Sequence, residues 1–134
     1  AYFKKTDVAG KEVEGIKLIV KDGKVVEATA KKGEDLLKSL ISIDEGASSF
    51  GEVAIGTNYG IKNFTKNMLF DEKIGGTVHM AIGDSMEEAG GKNKSSIHWD
   101  MLCDMRNCGK IYADGELFYE NGKFIDEILI KHNL

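Results

Sequence analysis

The strongest signal for the fold is the stretch VEGIKLIVKDGKVVEATA at residues 13–30. Asp22 and Gly23 separate two runs rich in strand-forming residues. An Asp-Gly pair in that position predicts a type I′ turn, because both central positions of such a turn need a positive φ. Apolar residues recur at a period of two along the first run, which predicts one buried strand face: Ile16, Leu18 and Val20. The expected strands of this β-hairpin are residues 13–20 and 24–30.

The C-terminal part of the sequence repeats this pattern twice. Asp114-Gly115 and Asn121-Gly122 separate three further runs, and each pair again predicts a tight hairpin turn. Consecutive hairpins of this kind form a β-meander. The expected strands are residues 110–113, 116–120 and 123–130.

Between the hairpins, the sequence predicts a helix and several short strands. Residues 34–43 carry one apolar helical stripe: Leu36, Leu37, Leu40 and Ile41. Gly46 either ends this run or starts a short helical turn through Phe50. The expected strands are residues 52–55, 77–82 and 97–103, with a loop at 83–96. Residues 64–73 are ambiguous and could form a helical turn that carries Met68, Leu69 and Phe70 into the core.

These elements predict one α+β, β-rich domain over residues 1–134, with hairpins, a C-terminal β-meander and one or two short helices. The chain has 134 residues, which is enough for one domain. Its longest apolar runs span only a few residues, so no membrane segment is expected. The net charge of −4 without a basic block argues against nucleic-acid binding. Cys103 and Cys108 follow no secretion signal, which favours reduced thiols and a cytoplasmic protein.

The sharpest candidate for chemistry is the segment His98-Trp99-Asp100. On a strand, alternate side chains point to the same face, so His98 and Asp100 would project together while Trp99 faces the core. This spacing suits two ligands of a metal site. The alternative is a His–Asp pair on a solvated strand face.

Two further residues could complete such a site. His79 lies in a predicted strand between two small neighbours on the same face, Thr77 and Ala81, which leaves room for a ligand to approach; the alternative is a buried histidine bonded to a carbonyl. Glu52 enters an apolar run beside glycine, where a carboxylate is costly unless it is paired or ligating. The alternative is that Glu52 ends a helix or lies in a solvated turn. Four other acids are expected to be solvated: Asp44, Glu45, Asp71 and Glu72.

Glu52, His79, His98 and Asp100 together offer the oxygen and imidazole donors that suit Zn²⁺, Co²⁺ or Mn²⁺. Two catalytic ions need about six protein contacts, since each takes about three. If Glu52 bridges both ions, the set supplies five. The residues therefore predict either a site for a single metal or a site for two metals whose missing ligand lies outside this chain.

Three segments carry a resemblance to a known family: GEVAIGTNYG at 51–60, NMLFDEKIGGTVHMAIG at 67–83 and GGKNKSSIHWD at 90–100. They resemble the thermophilic-type metalloaminopeptidases, the family of aminopeptidases T, S and II. The resemblance extends over nearly the whole chain.

The resemblance implies a dinuclear metal centre that removes N-terminal amino acids from peptides. It makes Glu52 the catalytic carboxylate shared between the ions, and His79, His98 and Asp100 the terminal ligands. An acidic group would hold the α-amine of the substrate, with Glu72 as a candidate. Some relatives carry Tyr where this chain has Met86.

The family also has a further glutamate ligand upstream of the first hairpin, before the start of this chain. The resemblance therefore implies that the chain is the C-terminal, metal-binding region of a longer, homodimeric enzyme. Two alternatives stay open for the chain itself. One is a non-catalytic binding or dimerisation module, and the other is a domain with a single structural metal.

Overall fold

A computed structural model describes residues 2–8, 11–65 and 67–125 of the protein. The described strands form three three-stranded sheets, ordered β1-β2-β3, β4-β5-β6 and β7-β8-β9. The strands are β1 (Tyr2–Val8), β2 (Lys11–Lys21), β3 (Lys24–Thr29), β4 (Phe50–Ile55), β5 (Thr77–Gly83), β6 (His98–Asp104), β7 (Lys110–Ala113), β8 (Glu116–Glu120) and β9 (Lys123–Phe124). The helices are α1 (Glu34–Ile41) and α2 (Met68–Asp71). The α+β, β-rich fold class is thus confirmed.

The chain forms two compact units, and the first consists of Ala1–Ala54 and His79–Cys103. Its first sheet contains the predicted hairpin of β2 and β3, which pair antiparallel. Asp22 and Gly23 have φ values of 51° and 78°, as a type I′ turn requires. β1 pairs antiparallel with β2 and was not predicted from the sequence.

The core of the first unit lies beneath this sheet. Its buried members are Val13, Ile16, Leu18, Ala28, Leu37, Ile82, Trp99 and Met101. Val13 and Ile16 are three positions apart on one strand, yet both are buried. Gly15 lies between them with a φ of 65°, which breaks the alternation and returns the following residues to the inner face.

Helix α1 packs on this core through the predicted stripe, with Leu37 fully buried and Leu36, Leu40 and Ile41 packed around it. The helix ends at Ile41 rather than at residue 43, and Ser42 is its C-cap. The suggested helical turn from Gly46 to Phe50 is wrong, because Phe50 begins β4. A turn precedes β4 instead, in which Asp44 Oδ1 accepts a hydrogen bond from the Ala47 amide.

The second sheet places β5 between β4 and β6. The predicted strands at 52–55, 77–82 and 97–103 are confirmed within two residues at each end. The end of β5 lies beside the start of β4 and the start of β6, since Gly83 N donates to Ser49 O and Asp84 N donates to Ile97 O. Trp99 of β6 faces the core, as the alternation predicted, and Met101 lies on the same face.

The second unit consists of Ile55–Val78 and Asp104–Leu134. The predicted meander is confirmed in β7, β8 and β9. The predicted last strand, residues 123–130, is described only through Ile125, and its remainder lies outside the described residues.

Helix α2 confirms the predicted helical turn, but the expectation that it buries its three apolar residues is wrong: Met68 is only half-buried, and the other two are exposed. Leu69 and Phe70 are 72% and 59% exposed. The buried residue of this helix is Asp71, at 5% exposure, which corrects its expected solvation. Its Oδ1 accepts hydrogen bonds from the amide and hydroxyl of Thr65, both at 2.7 Å.

Within the described part of the chain, neither helix has the length and hydropathy needed to cross a lipid bilayer.

Candidate metal centre

Three neighbouring strands bring the four candidate ligands together within the first unit. Glu52 lies on β4, His79 on the central strand β5, and His98 and Asp100 on β6. The paired placement of His98 and Asp100 follows from strand alternation, with Trp99 between them on the opposite, core-facing side. The structure therefore brings the four candidate residues close together, and their binding of a metal stays a prediction.

Glu52 presents its two carboxylate oxygens to two different histidines. Oε1 lies 2.8 Å from His79 Nε2, and Oε2 lies 3.6 Å from His98 Nε2. Each histidine thus faces one oxygen of the same carboxylate. The contact to His79 has the length of a hydrogen bond, whereas the contact to His98 is longer than one.

Asp100 completes a second group of donor atoms around His98. Its Oδ1 lies 3.5 Å from His98 Nε2. Glu52, His98 and Asp100 each offer one donor atom within 4.8 Å of the others, which is the one such cluster found among the described residues. The side chains of His98 and Asp100 remain 34% and 28% exposed, so a substrate could reach them.

The contact of Nδ1 shows which ring nitrogen of His98 carries the proton. Nδ1 lies 2.7 Å from the backbone oxygen of Asp84, and a carbonyl oxygen can only accept. Nδ1 therefore carries the proton, and in the neutral ring Nε2 presents a lone pair to two carboxylates. Three acceptors that face one another repel, and a bound cation would relieve this repulsion. A metal-ligating histidine commonly donates its other N–H to a carbonyl in this way.

The donor spacing also fits a divalent ion. Zinc ligands about 2.1 Å from the metal in tetrahedral geometry lie about 3.4 Å from one another. The two distances from His98 Nε2 are 3.5 and 3.6 Å, which are longer than a hydrogen bond and close to that separation.

His79 has a different environment. Its side chain is 8% exposed, and its Nδ1 is buried without a hydrogen-bond partner among the described residues. A buried nitrogen without a hydrogen-bond partner destabilises the folded state, so such a nitrogen is often kept for a functional reason. Among the described residues, fewer potential metal ligands lie around His79 than around His98.

Two other residues singled out from the sequence do not join this cluster. Glu72 belongs to the second unit, where its carboxylate forms an ion pair with Lys73. Met86 is exposed at the start of a short 3₁₀ turn, Glu87–Ala89, in the predicted loop. Neither position tests the role that the resemblance gives to these residues.

Sequence reasoning missed the polar residues that surround the start of β6. Asp44, expected to be solvated, accepts hydrogen bonds from Ser95 and Ser96. No local pattern could have revealed this contact, since about fifty residues separate its partners.

Comparisons with known proteins identify the family of the chain. Residues 2–124 match the family model described as thermophilic metalloprotease (M29). The chain belongs to this family. The predicted resemblance is thereby confirmed, and membership in a metalloprotease family implies a divalent metal cofactor.

Several relatives of the chain are named aminopeptidases. It is 34% identical to aminopeptidase PepS of Streptococcus thermophilus, over 87% of this chain and 33% of PepS. It is 33% identical to aminopeptidase AmpS of Bacillus subtilis, over 86% of this chain and 33% of AmpS. The structure of wild-type AmpT from Thermus thermophilus superposes with a TM-score of 0.69 at 28% identity, covering 91% of this chain and 36% of AmpT. The M29 chain thus spans about a third of the length of these relatives.

Proposed function

We propose that the protein carries the metal-binding part of an aminopeptidase that hydrolyses N-terminal residues from peptides with two divalent ions. In this proposal Glu52 is the ligand shared by both ions. His79 completes one ion's ligands from this chain, and His98 with Asp100 completes the other's.

The observation that carries the proposal is the orientation of Glu52. Its Oε1 lies 2.8 Å from His79 Nε2, and its Oε2 lies 3.6 Å from His98 Nε2. If each oxygen of Glu52 binds a metal, one ion lies on the His79 side and the other on the His98 side. The aminopeptidase names of the relatives support the reaction class and the peptide substrate.

The four candidate ligands have different roles in this proposal. Bound divalent ions would act as Lewis acids that polarise the scissile carbonyl and activate water. Glu52 would fix the spacing between the ions. The partly exposed His98 and Asp100 would line the side that a peptide can reach, while the buried His79 excludes water from the other. Zinc, cobalt and manganese all suit this donor set.

The test is a calorimetric titration of the 134-residue chain with Zn²⁺, run beside the variants His98→Ala and His79→Ala. We expect two equivalents of Zn²⁺ in the wild type, the ion at His79 being bound more weakly because the chain offers it only two ligands. Each variant should lose one equivalent, with an affinity drop of at least about a hundredfold at that position. Glu45→Gln is the matched control, because Glu45 is an exposed acid of the same unit. Wild-type stoichiometry in both histidine variants would contradict the ligand assignment.

A second candidate, a site for one ion, is favoured by the cluster of Glu52, His98 and Asp100. These three residues alone supply the number of protein ligands that one catalytic ion needs. The same titration separates the candidates, because a mononuclear site binds one equivalent and loses it in His98→Ala but keeps it in His79→Ala.

A further inference from the structure

The segment that leads into β6 has no regular secondary structure, yet hydrogen bonds fix it closely. Asn93 Nδ2 donates to the carbonyl oxygens of Gly46 and Gly83, at 2.9 and 2.6 Å. Ser95 N donates to Asp84 Oδ1 at 3.2 Å. The residues immediately before His98 are therefore held from several directions.

Asp44 makes the largest number of these contacts. Its carboxylate accepts hydrogen bonds from the Ser95 hydroxyl at 2.8 Å, and from the Ser96 amide and hydroxyl at 2.8 and 2.7 Å. Its Oδ1 also accepts from the Ala47 amide, so the turn after α1 is joined to the start of β6 through one side chain. Hydrogen bonds to an ionised carboxylate are about twice as strong as neutral ones.

The same segment contains the carbonyl that orients His98. Asp84 N donates to Ile97 O at 2.6 Å, and the Asp84 carbonyl accepts from His98 Nδ1 at 2.7 Å. The position of this carbonyl therefore decides which nitrogen of His98 faces Glu52 and Asp100.

Glycines allow this segment to pack closely on its neighbours. A Cβ at Gly51 would lie 2.1 Å from Asp84 O, and one at Gly83 would lie 2.1 Å from Ile97 O. A Cβ at Gly46 would lie 1.9 Å from Lys94 O. Real Cβ atoms do not approach backbone oxygens so closely. The carbonyl that binds His98 thus lies directly against the residue before Glu52.

From these contacts we infer that Asp44 is a positioning residue for the candidate metal centre. Through Ser95 and Ser96 it holds the start of β6, so that the Asp84 carbonyl keeps His98 in the Nδ1–H tautomer with Nε2 toward Glu52 and Asp100. The inference rests on the proposed function for its effect on metal binding, but its effect on the His98 ring is independent of any ion.

The first test reads the tautomer of His98 in the metal-free protein by long-range ¹H–¹⁵N spectroscopy of the imidazole ring. Wild type should show the Nδ1–H tautomer of His98. In Asp44→Asn the ring should average between tautomers, whereas His79, which Asp44 does not contact, should keep its wild-type signals. An unchanged His98 ring in folded Asp44→Asn would overturn the inference.

The second test measures Zn²⁺ affinity and the visible spectrum of the Co²⁺ form. Loss of an outer partner of a metal ligand commonly lowers metal affinity about 10–100-fold. We expect the Kd of the ion held by His98 to rise about tenfold in Asp44→Asn, with an altered Co²⁺ spectrum. The exposed neighbour Glu45→Gln should match wild type.

The two tests also distinguish failure of the proposed function from failure of this inference. If wild type binds no ion but its His98 tautomer depends on Asp44, the positioning role stands and the metal assignment fails. If wild type binds ions and Asp44→Asn binds them equally with an unchanged ring, the positioning role fails alone. Circular dichroism at the working temperature establishes that each variant is folded.

Discussion

Asp44 is a half-buried acid with an unusual number of hydrogen-bond donors around it. The Ser96 amide and hydroxyl and the Ser95 hydroxyl lower the pKa of Asp44 from 3.8 to about 2. A carboxyl group whose pKa is lower in the folded state stabilises the fold above its unfolded pKa. That stabilisation is lost as the pH falls through the folded value.

The lowered pKa of Asp44 determines how the effect of Asp44→Asn on stability depends on pH. At neutral pH the variant should be less stable than wild type, because it lacks the charged acceptor. The difference in unfolding free energy should shrink as the pH falls from about 4 to about 2, since wild type loses the same charge there. Urea unfolding at a series of pH values measures this difference. A constant difference over that interval would show that the carboxylate charge is not what the serines stabilise.

Asp71 offers a second residue-scale prediction, in the second unit. It is buried and accepts two hydrogen bonds from Thr65, so Asp71→Ala should lower the free energy of unfolding by about 2 kcal/mol. The exposed acid Glu88 provides the control, since Glu88→Ala should change stability by about 0.5 kcal/mol at most. Equal effects of the two substitutions in urea unfolding would mean that the Thr65 contacts add nothing.

At the scale of the elements, the end of β5 combines a positive φ with close backbone packing. Gly83 and Gly90 both have positive φ, at 96° and 83°. A Cβ at Gly83 would meet Ile97 O at 2.1 Å, whereas a Cβ at Gly90 would meet nothing within 4 Å.

Alanine substitutions at these two glycines separate the free-energy cost of backbone strain from that of steric overlap. Gly90→Ala should cost about 1–2 kcal/mol from backbone strain alone. Gly83→Ala should cost at least about 2 kcal/mol more, because the β5–β6 junction must open to admit the methyl group. Chemical unfolding of both variants gives the comparison. If both variants were equally destabilised, the close approach of Gly83 to Ile97 O would add nothing to the cost of the substitution.

The elements also show what the sequence could predict. The three hairpin turns were predictable because Asp-Gly and Asn-Gly pairs favour a backbone conformation that few other pairs adopt. The meeting of His98 and Asp100 was predictable from strand alternation.

Long-range contacts were not predictable in the same way. The apolar run of α2 is too short for its periodicity to indicate a buried face, so its exposed Leu69 and Phe70 were assigned to the core. The partners of Asp44 lie far along the sequence, and an isolated aspartate is ordinarily solvated. The strand β1 carries no turn signal that joins it to β2.

At the scale of the whole molecule, one core supports the candidate metal centre. The core members Trp99 and Met101 alternate with His98 and Asp100 on β6, and Leu37 of α1 belongs to the same buried cluster. Substitutions far from the ligands should therefore destabilise the unit that contains the site.

Leu37→Ala tests this connection. It should lower the free energy of unfolding by about 3 kcal/mol, because it removes a fully buried side chain. Val26→Ala is the matched control on the exposed side of β3, and should cost less than about 1 kcal/mol. Thermal and urea unfolding measure both. A small loss for Leu37→Ala would show that α1 contributes little to the first unit.

Trp99 is the only tryptophan in the sequence, and it lies on β6 between two candidate ligands. The protein therefore contains its own fluorescent reporter beside the site. Zn²⁺ has a filled d shell and should leave the indole emission bright. Co²⁺, with its partly filled shell, should accept the excitation energy and dim it. The ratio of the two signals would reveal the identity of the bound ion without any label.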